Sequence, residues 1–194
     1  TLLGTCNINS SSNGSGGALW LYDGTVTVEN SVFWKNRTHY GTIYVGANAD
    51  VNLYSNTVAD NCSKYTGDGT SLTNFGDTYV YSSIFWGNDP ASTSPIRNGS
   101  GTLNVIYSDV EGGYTGSGNI DADPDFIDMS AGDFRLTYSF SPLVISPCID
   151  AGWAASYMPT DDYYGDARFD HVLVGNTGGG AFLYPDYYDI GAIE

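Results

Sequence analysis

Basic side chains are scarce in this 194-residue chain. It has 6 Lys and Arg against 22 Asp and Glu, which gives a formal net charge of -16. Such an acidic field repels phosphate backbones, because nucleic-acid binding depends on basic groups that displace counterions. It also repels anionic membrane surfaces and attracts divalent cations. The composition therefore predicts that nucleic acid is not a partner.

Long apolar runs and cysteines are equally rare. No apolar run approaches the roughly 20 residues that span a bilayer, so membrane insertion is not expected. The chain opens at Thr1 with a polar stretch, so either a leader peptide has been removed or the sequence is a fragment. The three cysteines, Cys6, Cys62 and Cys148, match no zinc or redox spacing. They allow at most one intramolecular disulfide, and buried free thiols are the simplest interpretation.

A repeated pattern of alternating apolar and polar residues is present. Its four copies are 25, 27 and 25 residues apart and begin at Val26, Val51, Thr78 and Leu103. Alternation with a period of two indicates β-strands, and a second short strand is expected at residues 18–21 and 42–45. The spacing also places Leu3, Cys6 and Ile8 in register with the first copy, so the chain begins inside a repeat.

Several short strands in each 25-residue unit are typical of one turn of a solenoid. The predicted fold is all-β, a right-handed parallel β-helix of about five coils in residues 1–118. Two interior columns are expected, formed by Val28, Leu53, Val80 and Val105 and by Phe33, Val58, Phe85 and Val110. Two polar columns are expected to hydrogen-bond along the stack and to the turns, formed by Ser31, Asn56, Ser83 and Ser108 and by Asn36, Asn61 and Asn88.

The repeats carry short motifs with known relatives. Gly16-Gly-Ala-Leu19, Phe33-Trp-Lys-Asn36 and Phe85-Trp-Gly-Asn88 resemble the repeats of polymorphic outer-membrane adhesins. More broadly, they resemble the β-helix repeats of the pectate-lyase-like superfamily. The resemblance implies a bacterial right-handed β-helix that acts outside the cell.

The composition changes after about Asn119, where the repeat stops. An ordered series of blocks follows: Asp121 to Asp128, Gly132 to Leu136, Ser146 to Gly152, Asp162 to Arg168 and Asp189 to Glu194. The series is similar to the C-terminal region of secreted bacterial β-helix proteins of the choice-of-anchor type, which implies an extracellular, cell-surface protein. Residues 119–194 are predicted to form a closing segment packed on the helix end, because an open end exposes strand edges. Arg135 and Arg168 are expected to be buried or half-buried partners of aspartates such as Asp150 and Asp189.

Aromatic residues recur at outward positions of the predicted coils. They form three sets: Trp20 with Tyr44, Trp34 with Trp86, and Tyr54 with Tyr81. Flat rings arranged along one wall suit the C–H faces of sugars, and exposed apolar stripes mark interaction sites. These six residues are the candidate carbohydrate-binding site, with packing beneath long loops or against a neighbouring chain as the alternative.

Asp121, Asp123 and Asp125 stand at alternate positions, so an extended backbone would point their carboxylates the same way. Oxygen ligands at short range suit Ca²⁺. The three residues are therefore a candidate calcium site, with turn capping through backbone N–H groups as the alternative.

The sequence contains no convincing catalytic constellation. Asp60 and Glu111 are the nearest approach to the carboxylate pair that a glycoside hydrolase needs. The favoured function is a secreted or cell-surface module that contacts a polysaccharide or cell-surface glycan, or acts as an adhesin, without catalysis. Two alternatives stay open: the C-terminal part of a polysaccharide lyase or glycoside hydrolase, and a subunit that binds other chains through an open N-terminal coil.

Overall fold

A computed structural model describes residues 17–63, 71–89, 94–168, 170–180 and 188–193, so the predicted start of the first coil, with Leu3, Cys6 and Ile8, lies outside the described residues. A three-residue 3₁₀-helix spans Met129–Ala131. The strands are β1 (Leu19–Glu29), β2 (Val32–Trp34), β3 (Arg37–Thr38), β4 (Ile43–Tyr54), β5 (Thr57–Ala59), β6 (Cys62–Ser63), β7 (Leu72–Asn74), β8 (Asp77–Tyr81), β9 (Ile84–Trp86), β10 (Ile96–Asn98), β11 (Leu103–Ile106), β12 (Asp109–Val110), β13 (Phe126–Asp128), β14 (Asp133–Leu136), β15 (Tyr138–Phe140), β16 (Leu143–Ile145), β17 (Trp153–Ala154) and β18 (Gly179–Gly180).

The strands of the repeats stack in parallel, which confirms the predicted parallel β-helix. A larger sheet has the order β10-β7-β4-β8-β11, with β1 paired to β4, and a second sheet has the order β12-β9-β5-β2. The first half of the long strand β4 pairs with β7, and its second half pairs with β8. The solenoid has about 6 turns, roughly 25 residues apart, against about five predicted. No helix in the described part of the chain has the length and apolar character of a membrane span.

The interior columns form as the spacing predicts. Val28, Leu53, Val80 and Val105 are register partners on four successive coils. The last three are at most 1% exposed and share one apolar core with Val58, Phe85 and Val110. Each fully buried Val or Leu side chain stabilises the fold by about 1.5–3 kcal/mol. Stacking therefore buries side chains that no single coil can cover.

The two polar columns are hydrogen-bonded ladders. Asn61 Nδ2 donates to Phe33 O at 2.8 Å, and Asn61 Oδ1 accepts from the backbone N–H of Asn36 at 2.9 Å. The other column runs from Ser31 to Ser108. Its last member, Ser108, accepts from Ser83 N at 3.1 Å through its Oγ, and Ser108 N donates in turn to Asn119 Oδ1 at 3.0 Å. Asn119 is only 11 residues from Ser108, so a 25-residue spacing does not reveal this short last coil.

One corner of the solenoid needs glycine. A Cβ on Gly101 would lie 2.1 Å from Gly76 O, and a Cβ on Gly76 would lie 2.3 Å from Ala49 O. Such distances are far inside van der Waals contact, so side chains here would force neighbouring coils apart. Gly101 also has a φ of 74°, a conformation that glycine adopts without steric cost.

The C-terminal segment contacts successive coils along one side of the solenoid. Four of its residues donate hydrogen bonds to the coils. Arg168 donates to Asn30, and the Ala192 N–H donates to Thr57. The Trp153 N–H donates to Ser82, and the Cys148 thiol donates to Asp109. The outward face of the second sheet is covered in this way. Ile84 packs with Cys148, Ile149 and Ile190, and Ala59 packs with Phe134 and Ile193. The segment thus gives the solenoid a second apolar core outside its bore.

Candidate functional site

An aromatic row lies on the outward face of the larger sheet, formed by Trp20, Tyr44 and Phe75. The Trp20 and Tyr44 ring centroids are 6.1 Å apart in an edge-to-face arrangement, and those of Tyr44 and Phe75 are 5.6 Å apart. Arg97 places its guanidinium 5.6 Å from the centroid of Phe75, within cation–π range. We call Trp20, Tyr44, Phe75 and Arg97 the outer row.

Strand register positions the outer row. Trp20 pairs with Tyr44, Tyr44 pairs with Thr73, and Thr73 pairs with Arg97 on four adjacent strands. Neighbouring strands lie about 4.8 Å apart, so the row advances by one side chain per coil. Trp20 is 55% exposed, and Tyr44, Phe75 and Arg97 are half-buried. The outer row is therefore a ledge with one side chain on each coil, and it is most exposed to solvent at Trp20.

Tyr54 and Tyr81 share a column, as predicted, but they do not join the outer row. Their rings stack 5.6 Å apart with an interplanar angle of 3°. Tyr157 of the C-terminal segment packs on both, with centroids at 5.6 and 6.1 Å. Burial raises the pKa of both Tyr54 and Tyr81. The pair is thus partly covered by the segment, which corresponds to the packing alternative.

Trp34 and Trp86 also share a column, with Ala59 between them. Their rings pack against the C-terminal segment: Trp34 meets Phe134 edge to face at 5.9 Å, and Trp86 borders the second apolar core. The six predicted aromatic residues therefore occupy three separate places, and only Trp20 with Tyr44 contributes to an open row.

The aspartates at alternate positions act as turn acceptors. Asp121 Oδ1 accepts from Gly112 N at 3.0 Å, and Asp123 Oδ1 accepts from Asp125 N at 3.0 Å. Asp125 has a φ of 48°, so the backbone at this residue is left-handed and not extended. Within the described ranges, no three His, Cys, Asp or Glu side chains come together closely enough to hold a metal. The calcium site stays a prediction.

A buried carboxyl group joins the last coil to the C-terminal segment. Asp109 is fully buried; its Oδ1 accepts from Ala122 N at 3.2 Å and its Oδ2 accepts from Cys148 Sγ at 3.3 Å. Burial raises the pKa of Asp109 to about 7 and raises the pKa of the Cys148 thiol well above its usual value. Cys148 is a buried free thiol, as predicted, whereas Cys62 is disulfide-bonded, so that part of the cysteine prediction is wrong.

The two C-terminal arginines differ from each other. Arg168 is buried, as predicted, and donates to Asn30 Oδ1 at 2.9 Å and to Gly191 O at 3.0 Å. Arg135 pairs with an aspartate, Asp133, at 2.6 Å, but its predicted burial is wrong, because its side chain is 54% exposed. The pairing holds because the two residues are two positions apart on β14 and therefore lie on the same face.

Sequence reasoning did not find Phe75, Arg97 or Tyr157 as surface residues. Phe75 follows β7 and precedes Gly76, outside the 25-residue alignment of aromatic positions, and Tyr157 belongs to a segment without repeats. A second-strand alignment of residues 43–45, 72–74 and 96–98 would have placed Arg97 in the same column as Tyr44, with Thr73 between them. Of the carboxylates considered for catalysis, Glu111 accepts from Gly87 N at 2.8 Å.

Comparison of the chain with protein-family models, with curated proteins and with solved structures finds no match.

Proposed function

We propose that this protein is an extracellular module that contacts a neutral polysaccharide or cell-surface glycan through the outer row, without catalysing a reaction. The observation that carries the proposal is the ledge of Trp20, Tyr44 and Phe75 on three adjacent coils. Aromatic faces attract the C–H groups of sugar rings, and Trp20, which is 55% exposed, presents its indole to solvent at one end of the row.

The ledge suits an extended chain that runs along the solenoid axis. Each coil advances the row by about 4.8 Å, which is comparable to the length of one sugar residue in an extended glycan. The net charge of -16 disfavours acidic polysaccharides at long range. A neutral glycan therefore fits both the rings and the electrostatics.

We also propose that the protein lies outside the cell and that it is related to secreted bacterial β-helix proteins. Kinship with the pectate-lyase-like superfamily and with choice-of-anchor proteins is supported by the sequence blocks and by the solenoid fold. Localisation outside the cell is supported by the disulfide at Cys62, because disulfides persist mainly in oxidising compartments. Mass measurement of the secreted protein before and after reduction tests that disulfide.

Affinity electrophoresis in gels with neutral polysaccharides tests the glycan proposal. Trp20→Ala and Tyr44→Ala are each expected to reduce retardation severalfold, since stacking of a ring on an aromatic face contributes about 1 kcal/mol. Phe140→Ala is the matched control, because Phe140 is 68% exposed but lies on a C-terminal hairpin. If retardation persists in both outer-row variants, or falls equally in the Phe140→Ala control, glycan binding through the outer row is contradicted. Release of reducing ends or unsaturated products from the same polysaccharides would favour the enzyme alternative.

A further inference from the structure

Four large apolar side chains are exposed to solvent at two turns of the C-terminal segment. Phe140 and Leu143 are each 68% exposed at the turn of the β15–β16 hairpin. Val172 and Leu173 are 87% and 67% exposed in a loop further along the chain. Among the described residues, the next most exposed phenylalanine, leucine, isoleucine or valine is Ile127, at 51%. We call Phe140, Leu143, Val172 and Leu173 the apolar tips.

The two turns are joined at their bases by ring contacts. Phe140 pairs with Leu143 across the hairpin, and its ring centroid lies 4.9 Å from that of Tyr138. The Tyr138 ring in turn lies 4.2 Å from the ring of His171, the residue before Val172. Tyr138 also packs against the second apolar core, whereas residues 140–143 at the turn are all exposed. The hairpin is therefore anchored at its base and projects at its turn.

The apolar tips lie in an uncharged part of a strongly acidic chain. The formal net charge is -16, yet residues 136–149 and 171–180 contain no Asp, Glu, Lys or Arg. The charged residue before the first stretch, Arg135, is paired with Asp133. An uncharged partner can therefore reach the tips without local repulsion, whereas the field of the whole chain disfavours an anionic one.

The size of the exposed area distinguishes between partners. Four side chains exposed to this degree present roughly 400 Å² of apolar surface, which is typical of the largest patch on a monomeric protein and is often functional. A stable interface between two folded proteins buries about 800 Å² on each partner. The tips are too small for such an interface, and a second copy of the chain would bring another charge of -16. A lipid bilayer requires only that apolar side chains enter the boundary between headgroups and acyl chains.

We propose that the apolar tips insert into an uncharged lipid bilayer and hold the protein at a membrane surface. Phe140, Leu143, Val172 and Leu173 enter the acyl boundary. Tyr138 and His171, whose rings combine apolar and polar parts, lie at the level of the headgroups, where such rings are favoured. No residue of the outer row takes part, so membrane binding does not depend on glycan binding.

Flotation of the full chain with phosphatidylcholine vesicles tests the proposal. The native protein is expected to float with these vesicles and to float less with phosphatidylglycerol vesicles, which are anionic. Phe140→Ser combined with Leu143→Ser should lower the partition coefficient at least tenfold, because two large side chains no longer leave water. Val172→Ser, on the other turn, should lower it severalfold. Ile127→Ser is the matched control and should leave it unchanged, since Ile127 is exposed on β13 outside the tips.

Four outcomes overturn the proposal: no flotation of the native protein, equal flotation of the double variant, an equal loss in Ile127→Ser, and stronger binding to the anionic vesicles. Sedimentation equilibrium without lipid adds a fifth, because a dimer that the double variant abolishes would assign the tips to a second copy. If urea unfolding shows that the double variant does not fold, Val172→Ser decides the question, and its unchanged flotation would contradict insertion.

Discussion

Replacing Asp109 with asparagine tests how the C-terminal segment is held on the last coil. Asp109 is fully buried and accepts hydrogen bonds from Ala122 and Cys148, both in the segment. Desolvation raises its pKa from 3.8 to about 7, and the nearby carboxylates of Asp121 and Asp123 act in the same direction. The carboxyl group is therefore protonated in the folded protein over much of the acidic range.

The sign of the pH dependence follows from this shift. A folded pKa above the unfolded value means that the folded state binds the proton more tightly, so stability is lost as the pH rises. The loss begins near pH 3.8 and levels off above about pH 7. Three pH units at about 1.36 kcal/mol each give a penalty of about 4 kcal/mol in the free energy of unfolding at pH 8.

Asparagine cannot ionise, and its amide oxygen still accepts from the Ala122 N–H. Asp109→Asn is therefore expected to be more stable than the native protein by about 2–4 kcal/mol at pH 8, and nearly equal to it at pH 4. Urea unfolding followed by tryptophan fluorescence at pH 4, 6 and 8 measures the difference. Asp50→Asn removes the same charge from an exposed position and is the control. A gain that does not vary with pH, or a loss at pH 8, refutes the reasoning.

Three further predictions concern the ladders, a tight contact and calcium. Asn61→Ala should destabilise the protein by about 2–4 kcal/mol in urea unfolding, because it leaves buried backbone groups unpaired, while Asn52→Ala on the outer face should change little. Gly132→Ala should lower the free energy of unfolding by at least about 1 kcal/mol more than Gly165→Ala, since both have a φ of 84° but only Gly132 has an indole against it. If Asp121, Asp123 and Asp125 bind calcium, EDTA should lower the melting temperature by several degrees and added calcium should restore it; an unchanged melting temperature would favour their role as turn acceptors, which Asp121 and Asp123 already fill.

The repeated part of the fold could be predicted because each coil has the same pattern of alternating apolar and polar residues. A column such as Val28, Leu53, Val80 and Val105 is visible as soon as the spacing is known, and so are the asparagine ladders. Register then dictates which aromatic side chains are neighbours, including Trp20 with Tyr44. These contacts depend only on the regular stacking of strands.

The covered face could not be predicted in the same way. Residues 121–193 occur once, so no periodicity shows that Trp34 and Trp86 lie beneath them or that Tyr157 covers Tyr54 and Tyr81. The outward positions of both sheets have the same alternating pattern, and only long-range packing separates the open face from the covered one. For the same reason, Asp109 resembles any outward polar residue in the sequence, although it is buried.

The C-terminal segment has a consequence for how this solenoid can evolve. In an array whose repeats contact only their neighbours, units are added or lost with little effect on the rest, and an end can melt alone. Here the C-terminal segment is hydrogen-bonded to Asn30, Thr57, Ser82 and Asp109, one residue on each of four coils. Duplicating or deleting a coil would move these residues by about 4.8 Å relative to their partners in the C-terminal segment. The C-terminal segment therefore constrains the spacing of these four coils and couples their unfolding.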